Sequence, residues 1–157
     1  MADQLTPALI DAQLATAQDL FHRLVLVAGR DSTDMTRVLT EAAERGGFPV
    51  LNVGEQLAKL LMQIPVRQRT VRVAQEFSSL VSQCASQVVA VDHIEVLFAP
   101  ELRLDVVRLL RTVSRHTTLL VAWPGEVSES DLLYAPSDHP EHQHAALDGD
   151  LVAMMTN

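Results

Sequence analysis

Cysteine, lysine and aromatic side chains are scarce in this chain. Of its 157 residues one is cysteine, one tryptophan and one tyrosine, and aromatics make up 4%. The lone Cys84 can form neither an intrachain disulfide nor a cysteine metal site, which points to a reducing, cytoplasmic setting. It falls within an apolar helical pattern, where a small core residue is the expected role. No apolar run reaches the roughly 18–20 residues of a membrane span, so no membrane partner is expected. The opening MADQLTPALIDAQ carries acids and no basic cluster, so a secretory signal is not expected. Positive charge is also short: 12 Lys and Arg against 20 Asp and Glu leave a formal net charge of −8. Phosphate neutralisation is the main source of non-specific nucleic-acid affinity, so this balance speaks against an autonomous nucleic-acid binder. Lys59 is the only lysine, no arginine lies beyond Arg115, and seven acids follow it (Glu126, Glu129, Asp131, Asp138, Glu141, Asp148 and Asp150).

What is present is a 48% apolar, 20% charged chain, the composition of a globular protein long enough for one domain with a proper core. Residues 1–20 read as a helix, with Leu5, Ile10, Leu14, Ala17 and Leu20 near a 3.6 period. Apolar strands are expected at Leu24–Ala28, Pro49–Val53, Val88–Asp92 and Thr117–Trp123. Between them lie helical patterns over Thr36–Arg45, stopped by Gly46-Gly47, then Gly54–Met62, Val66–Ser86 and Pro100–Ser114. Strands apolar on both faces and alternating with helices predict a parallel sheet covered on both sides, with four central strands. The α/β domain is expected over 21–136. The segment 137–157 reads as a polar, turn-rich tail with room for partial disorder.

The first strand runs into Gly29-Arg30-Asp31-Ser32-Thr33-Asp34-Met35-Thr36. This octapeptide has the length and ends of a phosphate-binding P-loop, G-x-x-x-x-G-K-[ST], but Asp34 and Met35 replace the second glycine and the lysine. A P-loop works because consecutive backbone N–H groups line a concavity at a helix N-terminus, and the lysine neutralises the β- and γ-phosphates. Gly29, Arg30, Ser32, Thr33 and Thr36 are therefore candidate nucleotide-binding-like residues in a degenerate Walker A loop. Asp34 is expected to point its carboxylate where an anion would sit, opposing a triphosphate by several kcal/mol at an effective dielectric of about 20. Hydrolysis by this chain alone is not expected, while Mg-ATP stays open as a ligand. Val88–Asp92 has the Walker B pattern, in which Asp92 with Thr36 would hold magnesium. The fold expected is a P-loop NTPase-like (AAA/ASCE-type) three-layer sandwich with a mostly parallel central sheet.

Glu95 is a candidate water-activating base, with a solvated loop glutamate as the plainer reading. Arg115, directly before the fourth strand, is a candidate for reaching a neighbouring subunit's phosphate, or simply a cation complementing a helix C-terminus. Arg67, Arg69, Arg72, Arg103 and Arg111 form candidate DNA or partner contacts, with a solvated face as the alternative. His139, His142 and His144 lack the spacing of a helical zinc site and read as a surface turn. The apolar seams of residues 5–20 and 66–84 serve either the core or subunit contacts, so self-association is expected without a stoichiometry.

The most specific elements are Asp92-His93-Ile94-Glu95 with Leu97-Phe98, Val121-Ala122-Trp123-Pro124-Gly125, Tyr134-Ala135-Pro136 and His139-Pro140-Glu141. Over roughly Leu24 to His142 the chain resembles the BrxF family of small P-loop-containing proteins from bacteriophage exclusion (BREX) defence systems. The resemblance implies a cytoplasmic bacterial antiviral-defence component acting with other proteins of its operon, among them a DNA methyltransferase, a large ATPase and a phosphatase-like protein. Gly29, Thr36 and Asp92 carry over from the family's P-loop, and the lysine role carries over to no residue. The expected function is a non-catalytic P-loop subunit acting as an assembly or DNA-engagement module. The alternatives are an oligomeric Mg-ATP-binding ATPase and a direct DNA-binding protein.

Overall fold

A computed structural model describes the backbone of residues 2–29 and 31–155 and the side chains of residues 5–29 and 31–155. Three apolar runs become the centre of one sheet: β2 (Leu24–Ala28), β4 (Val88–Asp92) and β5 (Thr118–Trp123). With β1 (Ala2–Gln4), β3 (Val50–Asn52) and β9 (Leu151–Met154) they form a six-stranded sheet in the order β1-β9-β2-β5-β4-β3. Every pairing in it is parallel. All five residues of β2 and all six of β5 are buried, as two covered faces require.

The helices α1 (Pro7–Ala17) and α2 (Ser32–Gly46) cover one face, packing on Val25, Val27, Ala90, Leu120 and Ala122. The opposite face carries α3 (Val53–Met62), α4 (Val66–Gln83) and α5 (Val106–Val113), packed on Leu24, Leu26, Val89, Val91, Leu119 and Val121. This division follows from the strand order. The β1→β2 and β2→β3 connections cross the sheet in one direction, and those into β4, β5 and β9 run back. Crossovers of a single hand then place the two sets on opposite faces. The result is a three-layer α/β sandwich.

Local chemistry sets the helix ends. Thr6 caps α1 ahead of Pro7, and Gly47 closes α2 at φ +69, a left-handed conformation glycine takes without steric penalty. The apolar seams proposed for residues 5–20 and 66–84 face this chain's own sheet. Ile10 and Ala17 of α1 and Val73, Phe77, Leu80 and Val81 of α4 are core residues. Cys84 is half-buried, its thiol pKa raised by burial and its Sγ donating to Leu80 O at 3.4 Å.

Several expectations differ from the structure. The 1–20 helix is shorter, because Pro7 opens it and a strand precedes it. Pro100–Ser114 is not one helix. Two 3₁₀ turns, Ile94–Phe98 and Pro100–Leu102, lead to Arg103 at φ +51, and Asp105 then caps α5 by accepting from Arg108 N. The sheet has six strands where four were expected. The tail reading of 137–157 also changes. The strands β6 (Glu126–Val127), β7 (Asp131–Tyr134) and β8 (Gln143–Ala146) form a second, antiparallel sheet, and β9 is inserted between β1 and β2. Residues 156–157 lie outside the described residues.

The reason β9 can follow an acidic turn is a buried ion pair. Arg111 of α5 reaches Asp150, its Nε 3.2 Å from Oδ1, and donates through Nη2 to Ala146 O at 2.7 Å. The Asp150 side chain is fully buried, so the polar residue that disguises the strand is neutralised by the helix above it. Removing one partner strands a buried charge. Asp150→Ala is expected to lower stability by about 3–5 kcal/mol in urea unfolding, whereas the apolar pair Arg111→Met with Asp150→Leu recovers most of it.

Candidate functional site

The connection leaving β2 turns to the α1/α2 face, and the one leaving β5 turns to the other. The carboxyl ends of these adjacent strands thus flank a topological switch point, the place where parallel α/β sheets take ligands. A groove of about 720 Å³ opens there, lined by Gly29, Pro124, Gly125, Leu133, Ala135 and His142 among others. The second sheet, β6–β8, forms its outer wall.

The loop at this edge is not shaped as the octapeptide suggests. α2 starts at Ser32, so Ser32, Thr33 and Asp34 form its first turn and only residues 29–31 remain as connection. Asp31 is the cause. It is the N-cap, and its Oδ1 accepts from Thr33 N at 2.8 Å and Asp34 N at 3.3 Å. The free amides of a helix N-terminus are what an anion would bind, and here a carboxylate of the same loop already holds two of them. The carboxylate over the helix end therefore belongs to Asp31. Asp34, expected in that place, turns outward to Arg37 at 3.0 Å. Arg30 lies outside the described residues.

Met35 does not merely fail to supply a charge. It is 4% exposed and packs in the α1/α2 core with Leu39 and Ala42, one turn and two turns further along the same helix face. Gly29 has a packing reason as well. A Cβ there would lie 2.9 Å from Met155 Sδ and 3.1 Å from Met155 Cβ, because the chain leaving β9 crosses over it and Met155 N donates to Ala28 O.

Two candidates do meet. Thr36 Oγ1 donates to Asp92 Oδ2 at 2.6 Å, linking α2 to the carboxyl end of β4. Asp92 is 4% exposed, and its Oδ1 accepts from His93 N at 2.9 Å. His93 itself turns the chain out of β4 at φ +58, with Nε2 3.4 Å from Asp92 Oδ2. A hydroxyl and a carboxylate so placed are the donor types a magnesium ion takes. The phosphate half does not fit: Asp31 covers the helix amides and Met35 is buried apolar. No step through Mg-ATP is derived from these residues. Among the described residues, no three His, Cys, Asp or Glu side chains gather to hold a metal ion.

The remaining candidates are dispersed. Glu95 is exposed in the 3₁₀ turn after Asp92. Arg115 precedes β5, at the amino edge of the sheet and away from the groove, and stacks over Phe21 with 4.5 Å to the ring centroid. Arg69 donates through Nε to Leu61 O and Ile64 O, Arg72 pairs with Glu76 at 2.8 Å, and Arg111 is committed to Asp150. Arg67 and Arg103 are exposed. The five arginines therefore do not line one groove; three of them are engaged within the fold. The histidines separate too. His142 bonds Ala135 O at 3.0 Å, while His144 meets Asp131 at 2.8 Å. Ser130 first and then His144 hold the Asp131 carboxyl below its ordinary range.

Sequence reasoning missed the capping role of Asp31, and it named Phe98, Trp123 and Tyr134 in separate elements without foreseeing that they cluster. Tyr134 stacks on Phe98 with ring centroids 3.7 Å apart, and Phe98 meets Trp123 edge-on at 5.7 Å. Asp31 had a weak signal, since Asp is among the preferred N-cap residues and it stands a few residues ahead of a helical pattern. The aromatics share no spacing that a sequence pattern could register. No helix among the described residues is long and apolar enough to cross a membrane. Compared with known proteins, the chain matches no family model, no curated protein and no solved structure.

Two outcomes test this geometry. Restoring the lysine with Met35→Lys forces an ammonium into the α1/α2 core and is expected to lower stability by about 2–4 kcal/mol, read by chemical denaturation. Burial, and then the charges of Glu141 and Glu95, raise the Tyr134 phenol above its ordinary range. As Tyr134 is the only tyrosine, an ultraviolet titration reports it alone, and its midpoint should fall in Glu141→Gln. The raised folded value means this group's contribution to stability is complete below the unfolded tyrosine pKa of about 10 and is lost as pH rises through the folded one.

Proposed function

We propose that this chain is a non-catalytic, P-loop-like subunit of a bacterial anti-phage (BREX) defence assembly, acting in the cytoplasm as an assembly or DNA-engagement module. The observation that carries the non-catalytic part is the Asp31 carboxylate on Thr33 N and Asp34 N, the amides a phosphate would need. Met35 in the core supports it, because the residue at the lysine position serves packing. Support for the P-loop part comes from the strand order. Without the edge strand β1 it reads β9-β2-β5-β4-β3, so β5 separates the strand before Gly29 from the strand ending in Asp92. This is the arrangement expected of the additional-strand class of P-loop proteins. The defence part rests on the sequence resemblance over Leu24 to His142. The operon's other proteins are its proposed partners.

One observation favours a second reading, a Mg-ATP-binding ATPase that works as an oligomer: the 2.6 Å contact between Thr36 and Asp92. In that reading the Asp31 cap has to open before a phosphate enters. Direct DNA binding gains less, since Arg69, Arg72 and Arg111 already have partners in the fold.

Titration of the chain with a fluorescent ATP analogue and magnesium separates these readings, with Asp92→Ala and Asp31→Gly measured in parallel. The proposal expects no saturable binding by the wild-type chain at millimolar nucleotide. Saturable, magnesium-dependent binding that Asp92→Ala abolishes would establish the second reading instead. Binding gained only in Asp31→Gly would identify that carboxylate as the block.

A further inference from the structure

The groove between β5 and the second sheet is poor in hydrogen-bond donors. Pro124 and Pro136 on its walls have no N–H. Trp123 beside it spends its indole N–H on Glu126 O at 3.2 Å, and His142 spends Nδ1–H on Ala135 O at 3.0 Å. A carbonyl only accepts, so the proton of the neutral His142 ring sits on Nδ1 and Nε2 keeps its lone pair. Ala135 makes this turn at φ +62, a left-handed conformation that a residue with a Cβ adopts only where its surroundings dictate it. The side-chain groups left on the lining residues are acceptors, the Glu126 carboxylate and His142 Nε2, with the Ser137 hydroxyl able to act either way.

Charge points in the same direction. Among the described residues that line the groove the only formal charge is Glu126, and it has no ion-pair partner among the described residues. Residues 126–146, which build the outer wall, hold five acids and no lysine or arginine. A negative wall with spare acceptors repels phosphate and carboxylate and attracts a cation rich in N–H donors. A divalent metal ion does not match, since no three His, Cys, Asp or Glu side chains gather among the described residues. A volume of about 720 Å³ is also far more than one inorganic ion fills. An ammonium is compact and strongly hydrated. A guanidinium is flat and weakly hydrated, suits walls of Pro124, Leu133 and Pro136, and pairs with a carboxylate through two parallel N–H bonds.

We propose that this groove binds a guanidinium group, with Glu126 as its carboxylate partner and His142 Nε2 as a second acceptor. The inference goes beyond the proposed function and rests neither on the sequence resemblance nor on the Asp31 cap. A nucleotide held at Thr36 and Asp92 would leave it standing.

The test titrates the chain with agmatine, with a Gly-Arg-Gly peptide, with the matching Gly-Lys-Gly peptide and with inorganic phosphate. Trp123 is the only tryptophan and bonds to the backbone of Glu126, so its emission reports occupancy, with calorimetry as a second readout. Agmatine and the arginine peptide should bind saturably at millimolar concentration, and phosphate should not. Glu126→Gln should weaken binding about tenfold or more without moving the melting temperature, because a charge-assisted pair is lost. Glu129→Gln removes the same charge from a residue that does not line the groove and should change binding by less than about twofold. Much tighter binding of the arginine peptide than of agmatine would place the guanidinium on a partner's chain, and equal binding would make it a small molecule; both uphold the proposal. Equal binding of the lysine peptide, binding of phosphate, or indifference to Glu126→Gln overturns it. So does the absence of binding, and so does binding gained only in Arg30→Ala, which would make this chain's own arginine the occupant.

Discussion

The geometry at the sheet's carboxyl edge depends on how little chain separates β2 from α2. With residues 29–31 as the whole connection, the helix starts almost at once, and its first amides must be satisfied from within the turn or by an outside anion. Asp31 does this from within. Once Ser32 is helical, a rotation of about 100° per residue fixes the direction of each later side chain. Met35 falls on the face toward β2 and β5 and joins Leu39 and Ala42 in the core. Thr36, one step on, faces the end of β4 and meets Asp92. Asp34 faces solvent and pairs with Arg37. One N-cap thus decides the placement of Asp34 and Met35, two residues that a P-loop alignment would assign differently.

The two halves of the edge consequently have different chemical character. The β4 side keeps a polar contact between a hydroxyl and a buried carboxylate, which ties the sheet to α2 and doubles as a pair of oxygen donors. The β2 side has the electrostatics of a site already filled by an anion. A second anion would displace Asp31 from two amides and then sit beside the displaced carboxylate. At about 4 Å and an effective dielectric of about 20, two like charges oppose each other by about 4 kcal/mol. The lysine that would offset this is absent, and its position is occupied by a residue the core uses.

The sequence was most legible where strands are apolar on both faces. Leu24–Ala28, Val88–Asp92 and Thr118–Trp123 stand out because burial on two sides leaves no room for polar positions. Gly47 likewise marks the end of α2. The illegible elements share a different physics. β1 and β9 are three and four residues long, too short to display a period, and β9 follows an acidic turn whose Asp150 is charged in sequence but neutralised in space by Arg111. β6 to β8 were hidden by the turns between them, where Pro, Ser, Asp and His dominate. At the candidate site, motif spacing named Thr36 and Asp92 for one magnesium ion, and the two side chains touch at 2.6 Å. Asp31 was passed over because the same eight residues admit two readings, loop or cap, and the phosphate-loop alignment placed the carboxylate of interest on Asp34.

A self-capped loop also bears on how the chain can respond to a ligand. A ligand shifts a conformational equilibrium only by its differential affinity for the two states, and stabilises a fold only to the extent that it binds the folded form. Here the buried face of α2, the Thr36–Asp92 contact and the Asp31 cap are complete without any ligand. Nucleotide therefore has little free energy to contribute by ordering this region, because the chain's own carboxylate has already ordered it. The surfaces still unsatisfied lie elsewhere: the apolar corner at Met62 and Val66, and the groove between β5 and the second sheet. A chain built this way changes state through what docks on those surfaces. The parallel sheet between its two helix layers then acts as the rigid support that holds them in place.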